Sequence, residues 1–302
     1  MTFATKVKNE LCKASRNNNG KCDLPLLYGI LLFARSFRVD NVSFYSENKN
    51  ICELTSDIII REFGCIVDII SLKKENATVI LKIPDEKDRI KILEEFGHTA
   101  EEINLKVNRD NLKNNTDIKA FLRGAFISCG TITDPQNGYH LEFSVPFMNL
   151  SKSLYELLNS LKDIEVAFKT TTRKRNFIIY IKNSSDITDF LTYIGAPLNA
   201  MEMIQVKMVK EVRNYVNRTT NFETANISKT AAASALQIEA INKIKEKGMF
   251  NRLDDDLKEL AQLRLKNPEM SLRELGENLS LPLTRSGVNH KIKKILNIYK
   301  DI

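Results

Sequence analysis

The sequence predicts an α+β fold: a pseudo-two-fold repeat of α-β-β-α-β-β-α, followed by an all-α domain that ends in a helix-turn-helix pair. Three observations carry that prediction. The stretch Leu26–Phe37, LLYGILLFARSF, is echoed by Phe121–Ile132, FLRGAFISCGTI, with Leu27 and Gly29 spaced as Leu122 and Gly124 are. Behind each copy, period-2 and period-3.6 apolar patterns alternate in the same order. From Pro197 onward the period-2 pattern stops.

The elements follow in chain order. After the first helix come strand-like FRVDNVSFY and ICELTS, helix-like DIIIREFG, alternating CIVDIISLK and ATVILKIP, and helical DEKDRIKILEEFG. After the second come TIT and YHLEFSV, helix-like NLSKSLYELLNSL, strands EVAFKTTTR and NFIIYIKN, and helical SSDITDFLTYIG. The polar, Asn-rich NRDNLKNNTD joins the two units. Two copies of one unit imply two sheets side by side, with their leading helices meeting on the symmetry axis. Close backbone approach there is a task for Gly29, Gly124 and Ser128.

The C-terminal part reads as two long helices, LNAMEMIQVKMVKEVRNYVNR and NISKTAAASALQIEAINKIKEKG, the second stopped by Gly248. In DDDLKELAQLRLKNP, Leu257, Leu260, Ala261 and Leu265 share a face. Ser271 and Glu274 have capping-box spacing, so a helix should start there. In the last helix, Val288, Ile292, Ile295 and Tyr299 form an inward stripe. Arg285, Ser286, Asn289, His290 and Lys293 lie off it, in the N-terminal half that enters the major groove in helix-turn-helix proteins. Asn suits adenine and Arg suits guanine, while Lys suits phosphate. The same pattern also fits a plain three-helix bundle with a solvated basic face. The expected boundaries are 1–106 for the first repeat with an N-terminal extension and 107–197 for a linker and the second repeat. Linker helices occupy 198–250 and the helix-turn-helix domain 251–302, its pair at about 271–302.

Composition sets the outer limits. The chain has 302 residues and a formal net charge of +7, which suits an anionic partner. Five cysteines, an odd count without a CxxC pair, fit neither a disulfide framework nor a zinc site. Reduced thiols in a cytoplasmic protein are expected. The longest apolar stretch, LPLLYGILLFA (24–34), is too short to span a bilayer. Asp23 abuts it and its counterpart recurs later, so neither a secretory leader nor a membrane partner is expected.

The two leading helices resemble the paired motif of the LAGLIDADG homing endonucleases. In that family the eighth motif position is an acid at the helix tip, where it binds a divalent metal above the scissile phosphates. The resemblance puts Ala34 and Cys129 at those positions. A neutral thiol is a poor ligand for Mg²⁺, and alanine is none. The reading is a nuclease scaffold without catalytic residues, metal or cofactor. Asp40 and Asp134 lie just beyond the two helices and read as turn residues.

RNYVNRTTNFETANISKT (213–230), SGVNHKIKKI (286–295), FLRGAFISCGTITDPQNGYHLEF (121–143) and TFATKVKNEL (2–11) are similar to signature segments of the WhiA family. That resemblance covers essentially the whole chain. It implies a degenerate LAGLIDADG-like scaffold joined to a helix-turn-helix domain that binds double-stranded DNA. It also implies a cytoplasmic, nucleoid-associated bacterial regulator. Members act in sporulation transcription in actinobacteria, and in cell division and chromosome segregation in other Gram-positive bacteria. The Asn/Lys/Ile-rich composition favours the division role. Arg213, Asn217 and Arg218 are further candidates for DNA contact. Two rival readings are a metal-dependent DNA endonuclease and a protein-interaction scaffold with weak DNA binding.

Overall fold

The structure, a computed structural model, describes residues 1–17, 20–71, 78–99, 102 and 104–301. The chain divides into two compact units, Met1–Lys210 and Glu211–Ile302.

The first unit opens with α1 (Phe3–Arg16). One repeat follows as α2 (Asp23–Leu32), β1 (Ser36–Phe37), β2 (Val42–Ser46), α3 (Lys49–Phe63), β3 (Asp68–Ser71), β4 (Val79–Lys82) and α4 (Glu86–Glu95). The other is α5 (Asn115–Cys129), β5 (Gly130–Ile132), β6 (Leu141–Val145), α6 (Met148–Asn159), β7 (Lys169–Arg173), β8 (Asn176–Ile181) and α7 (Ser184–Ile194). Both sheets are antiparallel, in the orders β1-β2-β4-β3 and β5-β6-β8-β7. Ser36 pairs with Ser43 as Thr131 pairs with Glu142, so the two repeats correspond element by element.

The order α-β-β-α-β-β-α holds, but two of its elements lie elsewhere than the sequence pattern suggests. ICELTS, expected as a strand, is the first half of α3. Asn48 caps that helix by accepting from Asn50 N–H. Ile51, Leu54, Thr55, Ile58 and Ile59 are all buried, and their i, i+3, i+4 recurrence belongs to a helix. The first two strands instead both come from FRVDNVSFY. Arg38 and Asn41 exchange backbone hydrogen bonds of 3.0 and 3.1 Å to turn the chain between them. The last two residues of the expected strand CIVDIISLK, Leu72 and Lys73, lie outside the described residues.

α2 and α5 form the heart of the unit. Both are buried almost all round, with Leu26, Leu27, Ile30 and Leu31 on one and Phe121, Leu122, Ala125 and Phe126 on the other. A Cβ on Gly29 would overlap Phe121 O and come within 2.9 Å of Ala125 N. A Cβ on Gly124 would overlap Leu26 O and come within 2.9 Å of Ile30 N. The two backbones therefore touch, as the small residues required. Ser128 is also partly buried, and its Oγ finds no hydrogen-bond partner among the described residues.

α8 (Pro197–Glu246) is a single helix of 50 residues where the sequence suggests two. No Gly or Pro occurs between Leu198 and Lys247, so Thr219–Ala225 is a weak helix former but no stop. Pro197 takes the first helical position, where a missing N–H costs nothing. Gly248, at φ +71°, lies just beyond the far end. Three helices follow: α9 (Asp255–Lys266), α10 (Leu272–Glu277) and α11 (Arg285–Lys300).

Candidate nucleic-acid interface

The second unit has its own core. Ile241 and Ile244 of α8 meet Leu253, Leu257, Leu260, Ala261, Leu275, Leu279, Val288, Ile292 and Ile295. Tyr299 packs at its edge, which completes the predicted stripe. Side chains pointing away from that stripe are left to solvent.

Local chemistry sets α10 and α11. Ser271 accepts from Glu274 N–H while the Glu274 carboxylate accepts from Ser271 N–H at 2.7 Å, the reciprocal cap expected from the sequence. Those bonds hold the Glu274 carboxyl below its ordinary range. Thr284 caps α11 by accepting from Gly287 N–H at 3.3 Å. Between the helices, Leu283 N–H donates to Gly276 O at 3.0 Å. A Cβ at Gly276 would overlap Leu283 O and come within 3.0 Å of Val288 Cγ2, so only glycine lets the turn fold back this closely. Glu259 of α9 accepts from both Ser280 N–H and Ser280 Oγ at 2.6 Å, tying the turn down. Buried Arg264 donates to Met270 O at 2.6 Å and holds the connection between α9 and α10. Lys291 bonds Asp256 and fastens α11 to α9.

On this frame Arg285, Ser286, Asn289, His290 and Lys293 are all exposed on the N-terminal half of α11. None has a side-chain hydrogen bond or ion pair among the described residues. Lys294 and Asn297 extend the same polar surface. Arg213, Asn217 and Arg218 are exposed on α8.

The helix-tip positions in the first unit lack acids. Ala34 lies just past the C-terminus of α2, and Cys129 is the last residue of α5. Desolvation pushes the Cys129 thiol up to about 12, against the opposing pull of the Lys8 ammonium on α1. Burial in turn lowers Lys8. A thiol so raised stays protonated at neutral pH and offers no thiolate to a cation. Asp40 pairs with Arg38 at 3.2 Å. Asp134 accepts from Gln136 N–H at 2.8 Å in the turn its neighbours predict. Among the described residues, no three His, Cys, Asp or Glu side chains gather as a metal-binding group. All five cysteines are free.

One cationic feature escapes a reading of the sequence. The β7–β8 hairpin carries Lys169, Arg173, Lys174 and Arg175, and every residue of β7 is exposed. Register puts Lys169 beside Tyr180 and Arg173 beside Asn176 on one sheet face. Arg173 is engaged there, its two terminal nitrogens 2.8 and 2.9 Å from the Glu142 carboxylate. The run KTTTRKR holds the signal, but it also satisfies a strand pattern, which accounts for it without any partner.

Two family models match the chain: the WhiA LAGLIDADG-like domain over residues 118–213 and the WhiA C-terminal HTH domain over 216–299. A probable cell division protein WhiA of Clostridium botulinum is 36% identical over 317 residues, covering 100% of this chain and 99% of its own length. That of a Thermoanaerobacter species is 37% identical, covering 87% of this chain and 84% of its own. Among solved structures, full-length DUF199/WhiA from Thermatoga maritima is similar with a TM-score of 0.60 and 27% identity, covering 100% of this chain and 99% of that one.

Proposed function

The chain belongs to the WhiA family, and we propose that it is a non-catalytic, sequence-specific DNA-binding protein that regulates cell division. The observation that carries this reading is α11: a helix anchored by Val288, Ile292 and Ile295, with five exposed polar or basic side chains on the half that enters a groove in this motif. Arg285 and Asn289 are the base readers, because each can bond two atoms of one base edge. Ser286, His290 and Lys293 support them. Arg213, Asn217 and Arg218 contact phosphates, as do Lys169, Lys174 and Arg175 on the scaffold. Ala34 and the protonated Cys129 favour binding without cleavage. Transcriptional control and chromosome segregation both fall within this reading, since each needs site-selective attachment to the nucleoid. The division role rests on the names of the relatives.

The test begins with genome-wide crosslinking to find the preferred site, followed by titration of that site and of random DNA. Arg285→Ala and Asn289→Ala should each lose about 1–3 kcal/mol on the preferred site and far less on random DNA, with unchanged melting temperature. Val288→Asp should instead bury a charge and lose helicity and binding together. Full site preference in both polar variants would move recognition off α11.

A further inference from the structure

A groove of about 960 Å³ lies in the first unit. Its lining includes Ala34 after α2, Val39 before β2, Leu105 beyond α4, and Phe147 and Met148 at the start of α6, over a floor of buried Leu32, Phe37 and Leu93. The groove belongs to neither the DNA reading above nor the helix tips alone. Its meaning comes from the internal symmetry.

The repeats correspond with α2 on α5, β1 on β5, and α3 on α6. The groove's symmetry mate is therefore bounded by α5, β5, the start of α3, and the stretch following α7. That place is full: α1 occupies it, packing on α5, β5 and α3. α1 buries Phe3, Val7, Leu11, Cys12 and Ser15 there. Asn9 Oδ1 accepts from Asn48 Nδ2 at 2.7 Å and from Asn50 Nδ2 at 3.3 Å at the start of α3. Glu10 accepts from Leu198 N–H at 2.7 Å and Asn199 N–H at 3.0 Å at the start of α8. Among the described residues, the fold thus builds two equivalent helix seats and fills one.

The open seat differs from its twin in one informative way. Where α1 meets polar Asn48, the cap of α3, the open seat presents Phe147 and Met148 at the start of α6, 56% and 62% exposed. Large apolar side chains left in water beside an apolar groove mark an interaction surface. The charges lining it are mostly spent. Arg38 pairs with Asp40, and Arg89 donates to Val39 O, Ile83 O and Pro84 O. Arg35 has no ion pair among the described residues, only the Tyr45 ring 6.0 Å away.

We infer that this groove seats an amphipathic helix of a partner protein, placed as α1 is in the twin seat. Its apolar face lies on Ala34, Val39, Leu105, Phe147 and Met148, and a carboxylate on its flank meets Arg35. Helix-in-groove recognition needs only these parts: an apolar trough and one charge to set register. The inference stands apart from α11, so DNA affinity and partner binding are separate readouts.

The experiment uses the full chain with p-benzoylphenylalanine in place of Phe147, irradiated in its own host cell. The same residue in place of exposed Ile60 on α3 is the control. Expected is attachment to one other protein through one short segment, absent from the control. That segment, made as a peptide, should bind the purified chain and gain helicity. Phe147→Asp and Arg35→Glu should each weaken it at least tenfold while melting temperature and DNA affinity hold. Three results would overturn the inference: attachment scattered over many proteins, attachment to a second copy of this chain, or peptide binding indifferent to both variants. A small molecule retained in native mass spectrometry and lost in Phe147→Asp would overturn it too.

Discussion

At Gly29 and Gly124 two backbones meet with no room for a methyl group. Alanine at position 124 would gain about 1 kcal/mol of helix propensity. It would also drive a Cβ into Leu26 O, and main-chain atoms cannot swing aside as a side-chain end can. Overpacking of this kind costs about 1–3 kcal/mol. Gly124→Ala is therefore expected to be destabilising on balance, and Gly124→Val more so. Urea unfolding measures it; a raised midpoint for the alanine variant would show that the helices separate freely. Residues of this sort are legible in the sequence, because a glycine recurring at one place in two copies points to the axis between them. Gly276 is not. Its reason is a single close approach to the turn at Leu283, and nothing repeats to advertise it.

Elements are legible where one pattern stands alone. The reciprocal cap at Ser271 and the stripe on α11 have one interpretation each. ICELTS has two: Ile51, Glu53 and Thr55 alternate with Cys52, Leu54 and Ser56, yet Ile51, Thr55 and Ile58 also share a helix face. Burial against the sheet decides for the helix, and that depends on partners distant in sequence. The sequence divides α8 in two for a related reason, since Thr219–Ala225 has poor propensity but no residue that forces an end. Its continuity puts Arg213, Asn217 and Arg218 on an exposed helix surface, with Arg213 and Asn217 one turn apart. If these arginines touch phosphates, Arg213→Ala with Arg218→Ala should weaken all DNA sequences alike. The slope of log affinity against log salt should fall by about 1 for each arginine replaced. Unchanged affinity at low salt would leave them as plain solvated surface.

Across the whole molecule, each unit keeps its own core and its own kind of chemistry. The first matches the WhiA LAGLIDADG-like domain over residues 118–213, and metal-dependent cutting of DNA would need hard oxygen ligands at its helix tips. Ala34 and a thiol held protonated by burial supply none. Purified protein with Mg²⁺ or Mn²⁺ should leave supercoiled plasmid intact over hours. Nicking that needs the metal and disappears on replacing Asp40 or Asp134 would restore the enzyme reading. The loss of acids is visible in the sequence only because the resemblance to the LAGLIDADG motif implies where they would stand. What composition hides is the open helix seat, which exists through the relation between two halves of the chain and through no residue in particular.

The seat that α1 fills has a consequence in time. Glu10 closes on Leu198, 188 residues later, and Lys6 reaches Glu202 at 2.7 Å. At roughly 5–20 residues per second, a ribosome leaves the first helix without its capping partner for about ten to forty seconds. For the first part of that interval, until α5 and β5 emerge, Phe3, Val7 and Leu11 have no finished seat. The earliest segment to emerge thus waits for partners that lie more than a hundred residues later, and its apolar face stays uncovered meanwhile.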